Sequence, residues 1–210
     1  MIGYLRDYAN AITAVGYLFA VVGLFLAFNG HIELGVAAML WTWLLDHWDG
    51  HVARKTSHLR RPGVAEFGKS FDGFADFIHG VVFPAAIIIL LGHGSVLSLV
   101  SSLLLVLAGA IRLSHFENVG LTANVRFEGI PVSYDTPLVA ILILIRAFVP
   151  NTIFPDLVAI AFILLAVLHL NTAIKVPPIR GRAVPVATGF AIIASIALAL
   201  LIKPALPRHG

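Results

Sequence analysis

Apolar residues along this chain come in long runs rather than in stripes or alternations. An α-helix needs about 20 apolar residues to cross the hydrocarbon layer of a bilayer, and runs near that length recur from end to end. Seven are predicted, at approximately 9–29, 33–53, 67–92, 95–115, 134–149, 153–173 and 184–203. Turn-forming residues separate them: Asn29-Gly30, Gly92-His93-Gly94, Pro150-Asn151, and Pro177-Pro178 with Gly181. The fifth run is short, so six or eight spans are also compatible with the pattern. No linker and no repeat of fixed period divides the chain, which predicts a single domain over 1–210. The fold class expected is an all-α integral membrane protein, a polytopic bundle of about six to eight transmembrane helices. The first run lacks a small-residue cleavage site followed by a polar mature domain, so it is expected to be a retained span rather than a signal peptide.

Composition agrees. Hydrophobic residues make up 59% of the chain and charged residues 12%, against roughly 25% charged in soluble domains. Cysteine is absent, which excludes disulfide and thiolate chemistry. The formal charge is +3, and the basic residues are neither dense nor interleaved with aromatics, so no nucleic-acid partner is expected. Placement of the basic residues is more telling. Arg54, Lys55, Arg60, Arg61 and Lys69 surround the second-to-third connection. Arg112 and Arg126 flank the fourth-to-fifth, and Lys175, Arg180 and Arg182 the sixth-to-seventh. The alternate connections, near 29–33, 92–95 and 150–153, carry neither Lys nor Arg. The basic side therefore faces the cytoplasm, with Lys203 and Arg208 fitting this less well. Two connections on that side, 54–67 and 116–133, are longer than simple turns and are expected to serve the function.

Four of the 11 acidic residues, Asp46, Asp49, Asp72 and Asp76, lie in otherwise apolar helices near this surface. An Asp at the centre of a span costs roughly 2.5–3.5 kcal/mol on insertion scales, so a purpose is expected for each. The i,i+3 and i,i+4 spacings put each pair on one helix face, and antiparallel helices bring the pairs to one surface. Four facing carboxylates repel unless cations intervene. Two divalent ions would cancel the formal charge, and an all-oxygen set suits Mg²⁺ or Mn²⁺. Two-metal sites of this kind serve phosphoryl displacement. Gly50 and Ala53 leave the helix surface open to a ligand, Arg54 offers a phosphate fork, and Gly68 opens the third helix before Asp72. The plainer alternative pairs the acids with Arg54, Arg60, Arg61 and Lys69 as a solvated cluster.

The string Asp46-x2-Asp49-Gly50-x2-Ala53-Arg54 … Gly68-x3-Asp72-x3-Asp76 resembles the signature of the CDP-alcohol phosphatidyltransferases, with likeness extending over roughly residues 8–135. The resemblance implies that the first three aspartates bind metal and that Asp76 is the base activating the incoming alcohol. It also implies CDP contacts from Gly50, Ala53 and Arg54, with Asp49 and Gly68 beside the nucleotide. Asn10 and Thr13 are similar to an Asn-x2-Thr element of that family near the nucleotide. One departure stands out: the family has about eight residues between the Arg and the Gly, whereas 55–67 here carries an insertion.

Within the family, the Phe71–Gly80 stretch resembles Leu-Asp-Ser-Leu-Ala-Asp-x2-Ser-Phe-Gly of phosphatidylserine synthases. Arg112-Leu113-Ser114-His115-Phe116 with Phe127-Glu128-Gly129-Ile130-Pro131 resembles a second pair of their elements, with Gly73 in place of Ser and His115 in place of Arg. This implies CDP-diacylglycerol as donor and serine as acceptor, with Arg112 or Arg126 meeting the serine carboxylate. Choline is the alternative acceptor, caged by aromatics such as Phe71, Phe74, Phe77 and Tyr134, and an ether-lipid donor presents the same CDP group. His47 and His51 are expected beside the metal site or at the interface, and Trp41, Trp43 and Trp48 as anchors or packing. Small residues in 184–197 suggest helix contact, including contact between two copies in a homodimer. A cation transporter is the alternative of another class, predicting acids on broken helices near the midplane. The location expected is the plasma membrane of a prokaryote, with membrane lipids around the chain and the active site toward the cytoplasm.

Overall fold

The structure is a computed structural model describing residues 1–201. Lys203, Arg208 and the end of the last expected span lie outside the described residues. Seven helices make up most of it: α1 (Tyr8–Phe28), α2 (Ile32–Lys55), α3 (Val64–Leu91), α4 (Val96–Val119), α5 (Asp135–Ile145), α6 (Phe154–Leu170) and α7 (Ala183–Leu200). Four of them, α1, α3, α4 and α7, are long and apolar enough to cross a membrane. α2 has the length at 24 residues but carries the first acidic pair near its end. The chain is an integral membrane protein.

Helices α1 and α2 cross closely because each has a glycine at the contact. A Cβ on Gly23 would meet the Gly35 carbonyl at 2.9 Å, and one on Gly35 would meet the Gly23 carbonyl at 2.7 Å. α7 lies on the other side of α2, burying Ala187, Ala191 and Ala194. The small-residue stripe is therefore spent within the chain, and only the outer face of α7, with Val186, Ile193 and Ile196, remains exposed. Phe83, Phe154, Phe162, Met39 and Leu40 fill the centre of the bundle.

Three expected boundaries move. The fifth span, expected over 134–149, is an 11-residue helix with 3₁₀ turns at Val132–Tyr134 and Arg146–Phe148. At 1.5 Å per residue the helix covers about 16 Å, roughly half the hydrocarbon thickness. It packs against α2, α3 and α7, burying Val139, Ala140, Leu142 and Ile143. The connection expected over 54–67 is shorter: α2 runs to Lys55 and α3 starts at Val64, after Gly63 turns the chain at φ +80°. Stacking of Tyr4 on Phe67 at 4.4 Å and of Phe67 on Phe71 at 5.4 Å draws residues 64–67 into the helix. The 116–133 connection likewise loses its first turn to α4, which ends at Val119 before Gly120 at φ +74°.

Within that connection, β1 (Phe127–Glu128) pairs antiparallel with β2 (Lys175–Val176), with Phe127 opposite Val176 and Glu128 opposite Lys175. Glu128 accepts from the Lys175 ammonium and lies 3.2 Å from His115. Those two partners, Lys175 first, hold its carboxyl below the ordinary range. The clasp ties together the two loops that close over the acidic end of the bundle.

α3 is interrupted by a π turn at Ile78–Val82, where a proline and a distant hydroxyl act together. The Phe83 N–H donates five residues back to Ile78. The next bond of that pattern would run from residue 84 to His79, but Pro84 has no N–H. The stranded His79 carbonyl accepts instead from Thr136 Oγ1 on α5, at 2.6 Å. Gly80 lets the widened turn touch Val132, whose carbonyl a Cβ would meet at 2.7 Å.

Candidate active site

Asp46 and Asp49 come from the last turns of α2, and Asp72 and Asp76 from the middle of α3. All four carboxylates meet at one end of the bundle, where Asp72 borders three separate spaces. The first is a polar cavity of about 180 Å³, lined by Asp46, His47, Arg54, Asp72, Asp76 and Arg112, and roofed by residues 131–134 and 177–180. The second is a groove lined by Asn10, Thr13, Asp49, Gly50, Ala53 and Gly68, with Arg60 and Lys69 at its edge. The third is a mostly apolar groove between α3 and α4, lined by Gly73, Phe74, Phe77, Ala110, Leu113 and Phe116.

Six of the seven residues expected at the nucleotide thus share one groove. Arg54 lines the adjoining polar cavity instead. Thr13 donates to Asp49 at 2.5 Å, tying α1 to the acidic end of α2. Gly68 is required by close approach, because a Cβ there would sit 2.5 Å from Asn10 Oδ1 and 3.0 Å from Arg60. Asp7 caps α1 by accepting from the Asn10 N–H at 3.2 Å and binds Arg60 through two hydrogen bonds, at 2.8 and 3.1 Å. Arg60 also donates to Asn10 Oδ1 at 3.0 Å. The 56–63 connection is held over the groove by these bonds.

The acids are not partnered by lysine or arginine. Among the described residues no Lys or Arg nitrogen lies within 4.0 Å of Asp46, Asp49, Asp72 or Asp76; Arg60 is taken by Asp7 and Lys69 by Glu117. The solvated ion-pair cluster considered from sequence is therefore not what forms. Asp46 Oδ1 and Asp72 Oδ1 are buried without any hydrogen-bond partner. Unpaired buried carboxylates are costly. An oxygen-rich donor set of this charge fits divalent cations, and Asp46, Asp76 and His79 each place a ligand atom within 4.8 Å of the others.

Arg112 is 4% exposed, and its guanidinium carbon lies 5.8 Å from the Phe116 ring and 5.5 Å from the Phe127 ring. Its Nε has no partner, so a cation faces the polar cavity with donors to spare. Arg126 is exposed on the loop and lines none of these spaces; its backbone N–H bonds Thr122. Arg180 on the roof, Arg60 at the groove and His79 between the acids were not singled out from sequence as site residues. Their signal was weak, because each reaches the site from an element whose path depends on the tertiary fold. Phe71 stacks on Tyr17 and Phe67 and does not line the polar cavity, so of the aromatics considered for a choline cage only Tyr134 lines it.

The family model described as CDP-alcohol phosphatidyltransferase matches residues 6–206. Archaetidylserine synthase of Methanothermobacter thermautotrophicus is 33% identical over 171 residues, covering 79% of this chain and 66% of that protein. CDP-diacylglycerol–serine O-phosphatidyltransferase of Methanocaldococcus jannaschii is 31% identical over 121 residues, covering 57% of this chain and 56% of that protein.

Proposed function

The chain belongs to the CDP-alcohol phosphatidyltransferase family, and from that premise we propose that it transfers the phosphatidyl group of a CDP-activated glycerolipid to the hydroxyl of serine, releasing CMP. The observation that supports this most is the meeting of three spaces at Asp72: a groove for the nucleotide, an apolar groove for lipid tails, and a polar cavity for a small acceptor. The donor would lie with CDP between α1, α2 and α3 and its tails along α3 and α4. That puts its lipid-side phosphorus near Asp72. The names of both relatives specify serine, and the apolar groove offers the same walls to acyl and ether tails.

Asp46, Asp49 and Asp72, with Asp76 beside them, would hold two divalent cations, Mg²⁺ or Mn²⁺. Bound there, such ions offset the carboxylate charge and stabilise charge on the attacking and leaving oxygens. The protein's own part is orientation and proton transfer. Arg112 receives the serine carboxylate, and Asp76 takes the hydroxyl proton as the serine oxygen bonds to phosphorus. The bond from phosphorus to the CMP oxygen breaks, and CMP leaves along the groove lined by Gly50, Ala53 and Gly68. Arg54, between groove and cavity, is placed to follow the phosphate charge.

The basic connections put this end toward the cytoplasm. In this cysteine-free chain, a cysteine introduced at Asn124 should react with an impermeant reagent only in inverted vesicles. If two copies associate, they would have to use outward surfaces such as Val186, Ile193 and Ile196.

The deciding experiment presents purified protein with acyl and ether CDP-lipids and, in parallel, serine, choline, inositol and glycerol phosphate, and identifies the lipid product. Serine product is expected, abolished by chelation. Arg112→Ala should raise the serine requirement sharply, since stripping a desolvated charge of its partner costs roughly 2–5 kcal/mol. Affinity for the CDP-lipid should change little. A choline lipid as sole product, or unchanged serine dependence in the variant, would overturn the acceptor assignment.

A further inference from the structure

His79 is fully buried, and its ring faces the acids: Nε2 lies 3.2 Å from Asp76 Oδ1 and 3.7 Å from Asp46 Oδ1. Neither ring nitrogen makes a directed hydrogen bond. A buried imidazole held this way bears a desolvation cost that its loose contacts with the carboxylates offset only in part. In the stretch that Phe71–Gly80 resembles, a serine stands at the position of His79. The backbone here is unusual, since the π turn before Pro84 is pinned through the His79 carbonyl to Thr136. π turns inside α-helices recur at functional sites.

We propose that His79 Nε2 is a direct ligand of one of the two metal ions, together with Asp46 and Asp76. The donor atoms of these three residues lie within 4.8 Å of one another. Ligands across an ion at about 2.1 Å are about 4.2 Å apart, so small side-chain adjustments complete the set. The wide π turn supplies the position, and a buried Nε2 facing two carboxylates of the acidic cluster supplies the chemical motive. A nitrogen donor in an otherwise carboxylate set favours Mn²⁺ over Mg²⁺, because imidazole suits transition metals and Mg²⁺ prefers oxygen. The assignment rests on the metal-dependent reading above and adds a ligand that the four-aspartate motif does not contain.

The test uses the full-length protein in detergent, stripped with EDTA and titrated with MnCl₂, read by pulsed electron paramagnetic resonance. The wild type should show nitrogen coupling to bound Mn²⁺. The coupling should be lost in His79→Ser, whose preference for Mn²⁺ over Mg²⁺ in competition should also fall. Among the described residues only His47 and His79 have ring nitrogens within 4.0 Å of the four aspartates, so His47→Ala is the control that also covers misfolding of the His79 variant. Coupling that survives His47→Ala assigns His79. Bound Mn²⁺ without nitrogen coupling, or coupling lost with His47, overturns the ligand assignment and leaves the metal reading intact. Failure to bind Mn²⁺ at all overturns both.

Discussion

Asp76 and Asp7 show how differently two carboxylates can be used on one membrane face. Asp76 lines both the polar cavity and the apolar groove, beside the place where an acceptor hydroxyl would enter. If it is the base, Asp76→Asn should lower turnover by roughly 10²–10⁴-fold while CDP-lipid binding, measured by nucleotide competition, stays near the parent value. Full turnover in that variant would remove the base assignment. Asp7 lies outside the spans, and the hydrogen bonds from Arg60, aided by the Asn10 N–H, hold its carboxyl below the ordinary value of 3.8. A carboxyl with a depressed folded-state pKa contributes stability that is fully present above the unfolded value and is lost as pH falls through the folded one. Asp7→Ala should therefore cost about 0.5–2 kcal/mol at neutral pH, the usual range for a lost N-cap. The difference from the parent should shrink only below pH 3.8. A thermal denaturation series in detergent reads it, and a gap that instead closes between pH 5 and 7 would point to a histidine. The motif aspartates were legible in sequence because each pair shares a helix face. The Asp7–Arg60 clasp was not, since its partners are 53 residues apart and meet only once α3 has folded back on α1.

At the scale of elements, glycine and proline decide where helices touch and where they break. Gly68 faces Asn10 and Arg60 so closely that a Cβ would stand 2.5 Å from the Asn10 amide oxygen. Gly68→Ala should push Asn10 and the 56–63 connection outward. The expected result is weaker CDP-lipid affinity, seen as a raised KM for the donor with the serine KM little changed. Equal donor affinity in the variant would mean that the groove does not hold the nucleotide. Seven apolar runs foretold seven helices because span length is set by the bilayer, which acts on every residue alike. The exceptions are α5, shortened inside the bundle, and the π turn of α3. Both depend on partners from elsewhere in the chain. Pro84 announces a disturbance in the sequence, but the Thr136 hydroxyl that makes it a π turn rather than a kink lies 57 residues from His79. The two-residue strands were likewise invisible, having no length in which alternation could show.

For the whole molecule, the family followed from a spacing of eight positions, because that is a property of sequence order. What order does not carry is how the spaces adjoin. Asp72 and Asp76 border the cavity roofed by residues 131–134 and 177–180, and also the mostly apolar groove between α3 and α4. If this is the reaction centre, it would straddle two phases, and its two substrates would arrive by different dimensionalities of diffusion. Serine would come from a volume, and the CDP-lipid from a plane. Donor supply should then follow the mole fraction of CDP-lipid in the micelle or bilayer rather than moles per litre. At fixed total donor and saturating serine, adding inert detergent should slow the reaction in proportion to the dilution of the surface. Raising donor and detergent together at constant ratio should leave the turnover number unchanged once mixed micelles are in excess over enzyme. A rate that tracked bulk donor concentration through both series would mean that the α3–α4 groove is not the lipid's way in.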